Sequence, residues 1–115
     1  TRALGAAVVL YDRPGGEDRD AVAQALVAQT GRTLVHAFGD PWVIEGQGSL
    51  AIEAADQLAA ASGAAFDTAI VCCGGGGLSS GIALALPDAA IWAVEPEGWD
   101  DVARSLASGT IQRVH

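Results

Sequence analysis

An α/β fold, a parallel sheet covered by helices, is predicted by three observations. Short apolar runs at 6–11, 69–73 and 90–94 have the length and near-continuous hydrophobicity of strands buried on both faces. Longer segments of helical periodicity separate them, and alternation of strand with helix is the order that gives parallel β-α-β units. Four consecutive glycines, Gly74, Gly75, Gly76 and Gly77, join the second run to the small-residue stretch 78–86, so this region reads as strand, bare backbone turn and helix.

Each element follows from local signals. The run Ala6-Ala7-Val8-Val9-Leu10-Tyr11 predicts a first strand, ended by the turn residues Asp12-Arg13-Pro14-Gly15-Gly16. From 17 to 30 acidic residues come first, followed by an apolar face at Val22, Ala25, Leu26 and Ala28, with Gly31 placed as the residue that closes the helix. Thr33-Leu34-Val35-His36 predicts a short second strand. Asp40-Pro41 has the form of an N-cap followed by proline at the first helical position. A helical turn over 42–45 and a longer helix over 49–61 are expected next, the latter with Ile52, Ala55, Leu58 and Ala59 inward and Gly63 at its end. Strand 67–73, helix 78–86 and strand 90–94 form a β-α-β unit, and 99–108 predicts a last helix.

The glycine run carries the chemistry. Holding a glycine in one conformation costs roughly 0.5–1 kcal/mol relative to alanine, so four together imply a compensating role. Without Cβ atoms the turn can aim successive N–H groups at one point, to which the next helix adds the positive end of its dipole. A phosphate suits such a cradle. A tight structural turn is the plainer reading, but the apolar flanks are unlike a linker, and Gly81, one turn into the helix, permits close packing.

Composition narrows the partners. Fourteen acidic residues against six basic ones give a formal charge of −8, which opposes nucleic acid and anionic membrane surfaces. All six basic residues are arginine; there is no lysine. A bound phosphate would therefore be held mainly by backbone. Half of the residues are apolar, and mean hydropathy is +0.31, which points to faces that meet other protein. With no methionine and Thr1 at its start, the chain reads as a piece of a longer one. No run is long enough to span a membrane and residues 1–10 lack a signal-peptide pattern, so the cytoplasm is the expected compartment. Cys72 and Cys73 fall on opposite faces of the predicted strand and are expected to be reduced, buried small hydrophobes.

Among known phosphate motifs, a P-loop needs a lysine after its last glycine, and the chain has none. A dinucleotide-binding turn is matched more nearly: Gly74-Gly75-Gly76-Gly77-Leu78-Ser79 misses only the third small position, and Glu95 falls near the place of the ribose-binding acid. A second segment bears on this choice: His36-Ala37-Phe38-Gly39-Asp40-Pro41-Trp42-Val43-Ile44-Glu45-Gly46-Gln47-Gly48-Ser49, with Glu53 four residues on. It resembles the His-Pro-Phe-Asp-Asp…Ile-x-Gly-Gln-Gly-Thr…Glu segment of the serine/threonine dehydratases (threonine ammonia-lyases) and serine racemases, fold-type II pyridoxal-phosphate enzymes with a tryptophan synthase β-like fold. In that family a Gly-Gly-Gly-Gly-Leu turn follows, then a strand ending in Val-Glu-Pro, as at Val94-Glu95-Pro96. Ala37, Gly39 and the Cys72-Cys73 pair depart from the usual family residues, and the span from Gly77 to Glu95 is about one helical turn shorter than usual.

The resemblance implies specific roles. The amides of Gly74, Gly75, Gly76, Gly77 and Leu78 would hold the phosphate of pyridoxal 5′-phosphate. Some members bind Mg²⁺ or Ca²⁺, for which the matching positions are Glu95, the carbonyl of Trp99 and Asp101, all hard oxygen donors. The plainer alternative makes Glu95 a strand-end acid and Asp100-Asp101 an acidic first helical turn. His36 and Glu53 are read as hydrogen-bonding residues of the scaffold. The Schiff-base lysine of the family is absent, so no catalytic residue is assigned and these residues alone are expected to be inactive. Residues 1–36 would belong to the family's smaller domain and 37–115 to the larger, phosphate-binding one.

The implied enzyme is an ammonia-lyase that converts a small β-hydroxy amino acid to a 2-oxo acid and ammonia by β-elimination. A serine or aspartate racemase of the same family shares every matched residue. From other classes, a dinucleotide-binding domain and a non-catalytic interaction module remain open. The remainder of the enzyme chain is the expected partner, and homo-oligomerisation is usual in the family.

Overall fold

The computed structural model describes residues 1–113. Contacts divide the chain into two compact units, Thr1–Val35 and His36–His115; the last two residues of the second, and of the predicted segment 37–115, lie outside those described.

In the first unit a short 3₁₀ turn, Arg2–Leu4, precedes helix α1, Arg19–Thr30. Asp18 begins α1 by accepting hydrogen bonds from the N–H groups of Asp20 at 2.7 Å and Ala21 at 3.2 Å. Gly31 ends it in the left-handed region, as expected. The half-buried face of α1 is Val22, Ala23, Leu26 and Val27, so Ala25 and Ala28 lie outside the stripe. The predicted strands at 6–11 and 33–36 do not form among the described residues. Their β-compatible composition is real, but a strand exists only when its N–H and C=O groups meet a neighbouring strand, and none pairs with them here.

The second unit contains α2 (Pro41–Ser62), β1 (Thr68–Cys72), α3 (Gly77–Ala85), β2 (Ala90–Val94) and α4 (Asp101–Ser108). The strands pair in parallel, in register from Thr68 with Ala90 to Cys72 with Val94, with α3 as the crossover. This is the predicted β-α-β unit, and its second strand has the predicted bounds. The last helix starts at Asp101 and not at residue 99, because the chain first turns through a Trp99 N–H to Pro96 carbonyl bond of 3.0 Å.

Two helices predicted over 42–45 and 49–61 are one continuous helix of 22 residues. Glycine costs a helix interior about 1 kcal/mol relative to alanine, which argued for a break at Gly46 and Gly48, but tertiary contact overrides that preference. A Cβ added to Gly48 would lie 2.7 Å from the Gly81 carbonyl oxygen, and one added to Gly81 would lie 2.7 Å from the Gly48 nitrogen and collide with the Ile44 carbonyl oxygen. Here α2 and α3 cross with their backbones touching. The covered stripe of α2 is therefore Ile44, Gly48, Ala51, Ala55 and Leu58, with the spacing of one helical face, while Ile52 and Ala59 are exposed.

The core of this unit forms where Ala51 of α2, Val71 of β1 and Ile82 of α3 meet, flanked by Leu78, Leu86 and Ile91. One sheet face, with Ala69, Val71 and Ile91, is covered, whereas Ile70, Trp92 and Val94 on the other stay exposed. Cys73 is buried as expected, and Cys72, one residue away on the bare face, is not; both are free thiols. Among the described residues no helix is long and apolar enough to cross a membrane.

Candidate functional site

The site is built where β1 hands the chain to α3. Parallel pairing continues one residue past β1, the Cys73 N–H donating to the Val94 carbonyl at 2.8 Å, and this fixes the entry to Gly74. Gly76 is the N-cap of α3, with φ 83° and ψ −7°, a left-handed conformation that other L-residues enter only at a cost. The Ser79 hydroxyl donates to the Gly76 carbonyl at 3.1 Å and lies 3.7 Å from Cys73 Sγ, tying the turn to both elements.

The helix starts show what this turn lacks. Asp18 accepts from the first amides of α1. Asp40 accepts from Trp42 at 2.8 Å and Val43 at 3.4 Å at the start of α2. Glu95 accepts from Val102 at 3.0 Å and Ala103 at 2.9 Å at the start of α4. Each of these caps is a carboxylate at the positive end of a helix dipole. Alone among the described α-helices, α3 has no side chain on its first amides. Its N-terminus is therefore suited to an external anion, and the residues present fit a phosphate.

Space adjoins the turn on two sides. A cavity of about 350 Å³ is lined by Gly74, Gly75, Gly76, Gly77 and Leu78 together with neighbours that include Gln47 and Cys72. A second, of about 530 Å³, lies between Gly74 and Gly75 and the α4 region, where Asp101, Ser105 and Gln112 line it. Phe38 borders both cavities. No arginine lines either one, so an anion here would depend on backbone N–H groups, in keeping with the acidic composition.

The expected metal donors, Glu95, Trp99 and Asp101, occupy the loop from β2 into the first turn of α4. Glu95 already has work there, since each of its carboxylate oxygens accepts one α4 amide. Among the described residues no three or more His, Cys, Asp or Glu side chains cluster as a metal would require; two carboxylates with one carbonyl form a smaller set. In the same turn Asp100 pairs with Arg104 at 2.7 Å, and the Arg104 guanidinium beside it holds the Asp100 carboxyl below the usual carboxylate range.

His36 is a scaffold residue, as the sequence implied. Its Nδ1 accepts the Gly39 N–H at 3.0 Å. Its ring meets that of Phe38 edge-on, 4.7 Å between centroids at 84°. Glu53 accepts from Gln57 Nε2 at 3.1 Å, one helical turn along α2. Phe38 was not singled out from sequence, although its place two residues before the Asp40 cap was visible.

Comparison with known proteins gives consistent results. The family model described as pyridoxal-phosphate dependent enzyme matches residues 1–115. The chain is 41% identical over 118 residues to an L-threo-3-hydroxyaspartate ammonia-lyase of a Pseudomonas species, covering 99% of this chain and 35% of that protein. It is 36% identical over 114 residues to a serine racemase of Rattus norvegicus, covering 96% of this chain and 32% of that protein. Among solved structures, the threonine deaminase of T.th. superposes with a TM-score of 0.84 at 42% identity, covering 99% of this chain and 38% of that one. The chain thus spans about a third of the length of these relatives.

Proposed function

The chain belongs to the family of pyridoxal-phosphate dependent enzymes, and from that premise we propose that it is part of an ammonia-lyase acting on a small β-hydroxy amino acid. The observation that carries the site assignment is the start of α3, a glycine turn with no carboxylate on its amides. The N–H groups of Gly74, Gly75, Gly76, Gly77 and Leu78 hold the cofactor phosphate there, aided by the helix dipole. Bound pyridoxal phosphate supplies the electron sink that lets an amino acid lose its Cα proton and then its β-hydroxyl, ending in a 2-oxo acid and ammonia. The chain's own part is to anchor and orient. It contains no lysine, so the amine that binds the cofactor covalently comes from residues beyond these 115.

A divalent cation, Mg²⁺ or Ca²⁺, would be held by Glu95, the Trp99 carbonyl and Asp101, all oxygen donors. Residues 1–36 are assigned to the smaller domain and 37–115 to the larger. The division of contacts after Val35 supports that assignment. The working form is a cytoplasmic homo-oligomer of the complete enzyme chain. A serine racemase is the second reading, supported by the identity to serine racemases.

The test is to express the complete enzyme chain, supply pyridoxal phosphate and offer L-serine, L-threonine and L-threo-3-hydroxyaspartate. A yellow, borohydride-reducible adduct with release of 2-oxo acid and ammonia is expected. Accumulation of D-serine in place of the keto acid would replace the lyase with the racemase. A lower rate in a chelator, restored by Mg²⁺ or Ca²⁺, is expected from the metal assignment.

A further inference from the structure

Two of the four turn glycines are shaped by one residue, Phe38: Gly75 by its ring and Gly77 by its main chain and Cβ. A Cβ added to Gly75 would fall into the Phe38 ring, with Cδ2 at 2.6 Å, and one added to Gly77 would lie 3.0 Å from Phe38 Cα and 3.2 Å from its carbonyl oxygen. Gly74, by contrast, would meet nothing within 4 Å. The aromatic ring therefore sits directly on the turn, at the wall between the cavities of about 530 and 350 Å³.

Phe38 is itself held from both sides along the chain. The Gly39 N–H to His36 Nδ1 bond closes the turn around it, the His36 ring abuts its own ring, and Asp40 caps α2 two residues later. The backbone contact of Gly48 with Gly81 then fixes α2 against α3. A wedge on α2's leading end thus presses on the turn that opens α3.

We infer that Phe38 is a positioning residue of the phosphate site, its ring holding Gly75 in the binding conformation before the ligand arrives. This rests on the cofactor reading above. A glycine turn left alone samples many conformations, and each immobilised unit is a cost of binding; prior ordering by Phe38 removes that cost and appears as affinity for the phosphate group specifically. Pyridoxal, which has no phosphate for the ordered turn to hold, gains nothing from it.

The experiment compares the complete enzyme chain with its Phe38→Leu and Phe38→Ala variants, titrating each with pyridoxal 5′-phosphate and with pyridoxal, which lacks the phosphate. Phosphorus-31 NMR of the bound cofactor is the second readout. Both variants should lose about tenfold or more in affinity for pyridoxal phosphate, with a broadened phosphorus resonance, while affinity for pyridoxal is unchanged. Phe38→Leu keeps most of the apolar bulk and guards against simple unfolding. Phe66→Leu, which trims the other phenylalanine, beside a separate cavity with Ala55 and Leu86, should keep the phosphate preference. Equal loss for both ligands, no loss for either, or the same loss in Phe66→Leu would overturn the proposal. A wild-type enzyme that binds pyridoxal phosphate no better than pyridoxal would overturn the cofactor reading instead, and this inference with it.

Discussion

Glycines at Gly48, Gly75, Gly76, Gly77 and Gly81 are fixed by different physical demands. Gly76 is required by its positive φ, Gly75 and Gly77 by Phe38, and Gly48 and Gly81 by the backbone contact of two helices. Gly81 gives the sharpest test. Alanine there would gain up to about 1 kcal/mol of helix propensity, but its Cβ would strike the Ile44 carbonyl and the Gly48 nitrogen, both backbone atoms that cannot rotate away. Overpacking of this kind costs about 1–3 kcal/mol and dominates. Gly81→Ala should lower the urea midpoint of the complete enzyme, whereas Gly46→Ala, on the same α2 but with nothing within 4 Å of its added Cβ, should hold or raise it. Equal midpoints for the two variants would show that the crossing is not tight.

Among elements, α3 and α4 solve the same terminal problem in opposite ways. Each helix begins with amides that lack intrahelical partners. The start of α4 is closed by Glu95 from the preceding strand end and by the Asp100 to Arg104 pair at 2.7 Å, while α3 has no side chain at that position. Asp100 titrates below its ordinary value of 3.8 when folded, chiefly through the Arg104 guanidinium beside it. Its contribution is therefore fully present above that ordinary value and is lost as pH falls through the lowered one. The side chains of the pair are 39% and 55% exposed, so the effect is screened and small. The protection factors of the α4 amides, corrected for the intrinsic exchange rate at each pH, should fall on acidification through this range, and Asp100→Asn should flatten that dependence. A variant with the wild-type pH profile would assign the acid sensitivity to other groups.

For the whole molecule, apolar surface outruns apolar core. Among the described residues the buried hydrophobic ones are Ala51, Val71, Cys73 and Ile82, three of them small, while Ile70, Trp92 and Trp42 are 77%, 65% and 81% exposed. At about 25 cal/mol per Å² such a core returns little against the entropy of ordering the chain. The 115-residue polypeptide made alone should self-associate, read as concentration-dependent light scattering, and Trp92→Glu on the bare sheet face should reduce it. A monodisperse monomer with unchanged scattering in the variant would mean that the exposed face is stable in water. The sheet face that α3 covers and the face left bare divide cleanly along the strand alternation of β1.

Local chemistry let the sequence determine much by itself. Asp40 followed by Pro41, Gly31 and Gly63 at helix ends, and the apolar run 90–94 each act within a few residues, and each stands in the structure where those residues placed it. The glycine turn between strand and helix was likewise legible, because no ordinary turn tolerates four such residues without cause. What only the tertiary structure decided depends on partners distant in the chain. Gly46 and Gly48 read as a helix break until Gly81 explains the second of them, and the β-compatible runs at 6–11 and 33–36 form no strand without a neighbour. Phe38 had no local signal for its place on Gly75, far along the chain, because packing between remote segments follows from shape and not from propensity. Glu95, read from sequence as a metal donor or a strand-end acid, caps α4 because the fold brings the end of β2 to that helix's amides, where a carboxylate is worth most.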